Sequence, residues 1–323
     1  MTLVYSEGAQ QAESTGRNGM AEPGCDAFHR CWFPVGLANE ITGDAVCCID
    51  MLGDRVIAYR DAAGKPVVQS AWCPHLGADL SIGRLVDGQI RCAYHHWRFD
   101  GAGSCVHIPT GDKIPTGARI FTYPSAEAWG LVWVFNGEQP LYAPPCMPGA
   151  QERDLAIEAR LRGVRHVQYW VPPSNGVDFQ HLRTLHNLPT RAPETIDIGA
   201  NTIEYVVETE NYRQHGLVSG TNVFAQHLRR GGMDMFMLFA GAPIDQSRTR
   251  SFFVVGVRDT GDAPAAAKLA TLRSFVETLL AEDEPVLNTM RFRTGVMVAS
   301  DRHLSRYFKY VRDFPRANPL SRA

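Results

Sequence analysis

Several features are missing from this chain, and each absence narrows what it can be. The 323 residues carry a formal charge of only −2, so nothing pulls the chain toward nucleic acid. No run of basic residues suggests a membrane surface, and no stretch of about 18 uncharged apolar residues predicts a transmembrane helix. The opening residues, MTLVYSEGAQQAESTGRNGMAEPG, lack the basic start and apolar middle of a secretion signal. Residues 1–27 are therefore expected to be a polar, disordered or extended tail, and the chain to be cytoplasmic. There is no internal repeat, no low-complexity block and no GxGxxG fingerprint or recognisable flavin site, so no motif points to a resident dinucleotide.

Against those absences stand 45% apolar residues, enough for a large core over two domains. From about residue 28 to 140, short apolar runs such as AVCCIDMLGDRVIAYRDAAGKPVVQS and YPSAEAWGLVWVFNG are broken by Gly, Asp and Asn turns, predicting a small antiparallel β domain. LYAPPCMPG, residues 141–149, reads as a linker or a domain-crossing strand. The rest, to residue 323, holds a helix candidate at about 175–187. A strand series follows in NTIEYVVETENY, LVSGTNVFAQHL, MDMFMLFAG and TRSFFVVGVRD, then a helix in PAAAKLATLRSFVETLLAED. Strands followed by a long helix predict an α+β domain with the helix packed on an antiparallel sheet.

The chemistry begins in CPHLGADLSIGRLVDGQIRCAYHHW, residues 73–97. Cys73 and His75 sit on one knuckle, and sixteen residues later Cys92 and His95 sit on another. A zinc site would usually pair its ligands as CxxC and HxxxH. One Cys and one His on each knuckle suits a two-iron cluster, one iron taking both thiolates and the other both imidazoles. The other cysteines, Cys25, Cys31, Cys47, Cys48, Cys105 and Cys146, have no such spacing and read as small, mostly buried thiols. His29, His107, His166, His215, His227 and His303 likewise have no partner pattern.

CxH, sixteen residues, then CxxH, with Gly77 and Leu80 after the first knuckle and YHxWRFD after the second, resembles the Rieske iron-sulfur motif. It is more similar to the oxygenase branch than to the respiratory one, because Leu76, Gly77 and Ala78 follow the first His with no Cys for a loop-to-loop disulfide. In the second half, Asn175, Asp178, His181 and His186 form NxxDxxHxxxxH, which resembles the mononuclear iron motif of Rieske non-haem iron oxygenases. Non-haem Fe(II) needs two histidines and a carboxylate on one face, leaving opposite positions open. Residues five apart on a straight helix diverge by about 140°. His181 and His186 therefore call for a widened turn or for ligands reaching in from two helix edges.

The remaining assignments are what the resemblance implies. Its third ligand lies on a helix after the sheet, where Asp283 in LLAEDEPVLNTM matches and Glu282 and Glu284 are rivals; these acids before Pro285 could equally mark a helix start. Asp178 matches an acid that links a cluster-bound His of one subunit to an iron-bound His of the next, which implies a homotrimer. Asn175 matches a residue near the iron, though after Pro172, Pro173 and Ser174 it could equally be a helix N-cap.

The implied fold is an all-β Rieske domain at 28–140 followed by a helix-grip, START-like catalytic domain at 141–323. The implied enzyme is the terminal oxygenase component. It would use a [2Fe-2S] cluster, Fe(II) and O2 to hydroxylate or oxidatively dealkylate an apolar or aromatic small molecule. Its electrons would come from NAD(P)H through a separate reductase or ferredoxin, with Arg98 and nearby basic residues as docking candidates. Met233, Met235, Phe236, Met237 and Phe239 lie in a strand whose alternate residues could line the substrate cavity. The competing classes are a Rieske electron carrier and a non-catalytic binder of apolar ligands. His96 stands where the family usually has Gly.

Overall fold

The computed structural model describes residues 27–259, 261, 264–293 and 295–317. The expected tail, and with it Cys25, lies outside the described residues except for Ala27.

Among the described residues up to 140, three small antiparallel sheets form the first half. One orders its strands Thr122–Tyr123, Pro66–Ser70, Asp54–Arg60 and Cys47–Met51. A second, with Arg84–Val86, Gln89–Arg91, Arg98–Phe99 and Cys105–His107, carries the cluster motif on its loops. Their shared core, with Ile57, Tyr59, Leu80, Ile90 and Phe99, includes Cys73 and Cys92. The third sheet, Ser125–Ala128, Leu131–Phe135 and Trp32–Leu37, behaves differently. Its Trp32, Leu131, Trp133 and Phe135 share a core with Val223, Phe236, Leu238 and Val254 of the second half, so apolar packing runs unbroken across residue 140.

The second half is α+β, as its pattern predicts. Seven antiparallel strands lie in the order Ala156–Arg165, Thr249–Val257, Met233–Pro243, Val223–Arg230, Tyr212–Ser219, Thr202–Thr209 and Asp197–Ile198. Three details differ from the sequence reading. LVSGTNVFAQHL is not one strand: Gly220, at φ +60°, turns the chain between Ser219 and Val223, a conformation that suits glycine. The edge strand Ala156–Arg165 was not anticipated, and LYAPPCMPG is neither strand nor loose linker. The Trp32 indole N–H donates to the Tyr142 carbonyl at 2.8 Å, which fastens that segment to the first half.

Among the described residues three α-helices complete the domain: α1 (Phe179–Thr184), α2 (Ala265–Thr289) and α3 (Arg302–Asp313). Helix α2 packs on the strands Ala156–Arg165 and Thr249–Val257. Pro285 lies inside it, so the acids at 282–284 are not a helix start. No helix among the described residues is long and apolar enough to cross a membrane. Near the two ends of the described residues, Phe28–His29 pairs with Arg316–Ala317. There His29, fully buried, meets the Tyr169 and Thr221 hydroxyls at 2.9 and 2.8 Å through Nδ1.

Candidate metal centres and cavity

The two cluster loops are built alike. In the first, the Gly77 N–H donates to the Cys73 carbonyl at 2.8 Å; in the second, the His96 N–H donates to the Cys92 carbonyl at 3.1 Å. Both turns need a left-handed residue four places after the cysteine, and Gly77 and His96 supply it at φ +71° and +60°. A histidine here bears the steric cost that glycine avoids. Cys73 and Cys92 are buried, while His75 and His95 are exposed with ring centroids 4.6 Å apart. The Trp97 ring stacks on His75 at 4.4 Å and 7° between planes, fixing that imidazole's orientation. Burial, opposed by a backbone bond at His75 and reinforced by Cys92, pushes the Cys73 thiol up to about 11. Two sulfurs inside and two imidazoles outside fit the donor set of a [2Fe-2S] cluster, which would hold the sulfurs as thiolates.

The second cluster of donors is assembled from distant parts of the chain. The Asp178 carboxylate caps α1 by accepting the His181 N–H at 2.9 Å. Gly176, just before it, lets the turn lie against Phe224, where a Cβ would come within 2.5 Å of the ring. Helix α1 ends at Thr184, so His186 sits beyond its Leu185 cap and escapes helical periodicity. This replaces both the widened turn and the two-edged helix expected from the spacing.

Asp283 comes from the C-terminal third of α2. Its Oδ1 lies 3.2 Å from Nε2 of both His181 and His186, and the donor atoms of all three residues fall within 4.8 Å of one another. Yet His181 Nε2 and Asp283 Oδ1 are buried with no hydrogen-bond partner, so these atoms face a common point instead of each other. Burial alone would raise the Asp283 carboxyl; the two imidazoles outweigh it and hold it at about 2. Burial would lower His186, but Asp283 and Glu282 raise it. Two imidazoles and one carboxylate around unspent lone pairs fit a 2-His-1-carboxylate iron site.

The three consecutive acids take separate directions, because each helical residue is turned by about 100° from the last. Asp283 faces the histidines. Glu282 accepts from His186 Nδ1 at 2.7 Å, which leaves Nε2 as the free donor atom. Glu284 turns to Arg162, at 2.9 Å, and to Arg165. Asn175 is neither ligand nor helix cap: it lies inside the short 172–176 turn and donates from Nδ2 to Asp283 Oδ2 at 3.2 Å. The sequence reading did not anticipate the parts of Glu282, Arg162 and Arg165; the only signal was the run of acids itself.

Beside the triad, between sheet and α2, lies a cavity of about 120 Å³. Phe224, Leu228, Phe239, Phe252, Phe275 and Leu279 give it an apolar wall. Of the five residues expected from MDMFMLFAG, only Phe239 reaches it; Met235, Phe236 and Met237 are buried elsewhere and Met233 is exposed. A second groove, lined by Asn175, Asp178, His181 and Asp283, opens past Met290, Val296 and Met297.

The family model described as the Rieske [2Fe-2S] domain matches residues 31–124. This chain carries a Rieske domain. It is 35% identical over 178 residues to "Aminopyrrolnitrin oxygenase PrnD" of Pseudomonas fluorescens, covering 50% of this chain and 47% of that protein. It is 34% identical over 160 residues to "Cholesterol 7-desaturase nvd" of Bombyx mori, covering 48% and 35%. The chain thus spans less than half the length of these relatives. Among solved structures, "Pseudomonas putida CBB5 NdmB" superposes with a TM-score of 0.74 at 20% identity, covering 88% of this chain and 90% of that one. Dicamba monooxygenase bound to dicamba superposes at 0.69 and 20%, covering 88% and 96%. Both halves of the chain therefore share the fold of these two proteins.

Proposed function

We propose that the chain is the terminal oxygenase of a Rieske system, an oxidoreductase that hydroxylates or oxidatively dealkylates an apolar or aromatic small molecule. The observation that carries this reading is the pair of unspent donor atoms, His181 Nε2 and Asp283 Oδ1, buried next to an apolar cavity. An electron carrier or a passive binder has no use for them. On this reading Cys73, His75, Cys92 and His95 hold the cluster, and His181, His186 and Asp283 hold Fe(II). When bound, the iron supplies O2 activation, with electrons drawn from NAD(P)H through a separate reductase or ferredoxin. Glu282 sets the His186 tautomer, Asn175 orients the carboxylate and the apolar wall holds substrate while limiting water.

Electron delivery fits a homotrimeric ring. Leu76 and Tyr94, beside the cluster histidines, are 65% and 64% exposed, and Val296 at the mouth of the second groove is 95% exposed. Two different exposed apolar patches suit head-to-tail docking, which closes into a ring. It would bring a partner's cluster to Asp178, whose carboxylate already steadies the helix bearing His181. The reductase has a matching candidate surface. Arg84, Arg91 and Arg98 are cross-strand neighbours, followed by His107, on the strands that carry the second cluster loop. An acidic partner would relieve that like-charge ladder. The seven described cysteines are free thiols, in keeping with a cytoplasmic home.

Supplying NADH and a generic reductase to the purified protein should give O2-dependent product from small aromatic substrates. Reduction of the cluster without any such product across a broad panel would leave the carrier reading in its place.

A further inference from the structure

The cavity wall carries a charge that the iron site does not use. Arg162 and Arg165, on the edge strand, both line the cavity, and both turn to the single carboxylate of Glu284. Arg162 is occupied, donating from Nη2 to the Leu280 carbonyl at 2.6 Å as well as to Glu284. Burial, then the Arg165 charge beside it, hold Arg162 below the usual guanidinium range. Arg165 has a side chain 9% exposed, and among the described residues its recorded side-chain bond runs only from Nη1 to Glu284. A guanidinium has five donors in a planar fork, so most of this one is unspent. Two cations against one carboxylate is also poor design for a purely structural ion pair, because the surplus charge lies desolvated. If Asp283 holds a divalent ion, as proposed above, the four positive charges around the pocket outnumber the three acids at 282–284.

Size narrows the class further. A cavity of about 120 Å³ is close to the roughly 150 Å³ that accommodates benzene, so the enclosed space suits one ring. The wall beside the arginines is aromatic and aliphatic, and among the described residues Gln226 Nε2 has only a thioether, Met237 Sδ at 3.9 Å, as acceptor. We propose that the substrate is a single-ring aromatic bearing a carboxylate or sulfonate, and that Arg165 is the residue that binds the anionic group. This rests on the oxygenase reading for the position of the site, but the anion recognition is a separate property of the wall.

The test is calorimetric binding of benzoate, benzenesulfonate and neutral benzamide to the oxidised holoenzyme. Benzoate or benzenesulfonate should bind at least about tenfold tighter than benzamide, since bonds to a charged group exceed neutral ones by that order. Which anion binds tighter tells carboxylate from sulfonate. Arg165→Gln should erase the anion preference and leave benzamide unchanged, with Arg165→Lys retaining part of it. Should Arg165→Gln fold poorly, Glu284→Gln gives the opposite prediction: freeing the guanidinium tightens anion binding several-fold. Equal affinity for benzoate, benzenesulfonate and benzamide in the wild type would overturn the proposal, as would an anion preference that neither substitution moves. Iron content of the same preparations separates the two readings. About three irons per chain without anion preference sinks the anion site alone; about two irons with the preference intact sinks the iron site alone.

Discussion

The cluster loops and the iron pocket solve the same problem, holding metal donors in place, by opposite means. The cluster donors sit on two loops of similar build within residues 73–95, supported by their own small core. The pocket donors span residues 181–283, arriving from a short helix, the loop after it and the C-terminal third of a long helix. A local site depends on turn geometry; an assembled one depends on the packing of whole elements and on side chains that aim its ligands. Damage should therefore stay local at the loops and spread at the pocket.

The sharpest way to break this contrast is Asp283→Ala. It should abolish turnover while the cluster's visible absorption stays, and retained activity would hand the carboxylate role to a neighbouring acid. Glu282→Gln tests the aiming side chains: weakened orientation of His186 should cost about 10- to 100-fold in iron affinity, read by chelator competition. Unchanged affinity would mean that the His186 tautomer needs no help. The seam between the regions makes a pH prediction. Burial, aided by Arg316, lowers His29 to about 3, so between pH 6.5 and 3 the unfolded chain binds the extra proton and stability falls as pH drops. Going from neutral pH to 5 should remove about 2 kcal/mol in denaturant titrations, a slope that His29→Gln flattens.

Surface changes at the cluster pole should matter less. Arg84→Gln with Arg91→Gln should raise the KM for an acidic reductase a few-fold and weaken its salt dependence, leaving dithionite reduction of the cluster unaffected. The smallest effect is at the loop turn. His96→Gly should add up to about 1 kcal/mol of stability by relieving left-handed strain, seen as a slightly higher Tm, and a falling Tm would show that the imidazole contributes contacts outweighing that strain.

The same contrast governs what could be read from the chain. Cys73, His75, Cys92 and His95 stand out in the sequence because each Cys–His pair sits on one short loop, and the two loops bring the histidine rings within 4.6 Å; the positive φ of His96 matches that of Gly77 at the equivalent place. The strands of the second half were legible from alternation, as in TIEYVVET, whose burial alternates along most of its length. His181 and His186 were visible, but how they converge was not, since the helix stops between them at a point set by tertiary packing. Asp283 came from resemblance rather than pattern, and Glu282 and Glu284 were indistinguishable from it. Three adjacent acids gain separate jobs only once α2 is seated against the sheet. Arg162 and Arg165 fell in a strand that the pattern did not reveal, so their place on the cavity wall had no sequence signal.

The central claim is that one chain holds two metal sites of independent construction. Iron quantitation alongside the visible spectrum, on the wild type and on His186→Ala, tests it most directly. The account predicts about three irons per chain falling to about two, with the cluster absorption unchanged. Two irons in the wild type, or loss of the cluster spectrum in His186→Ala, would contradict it.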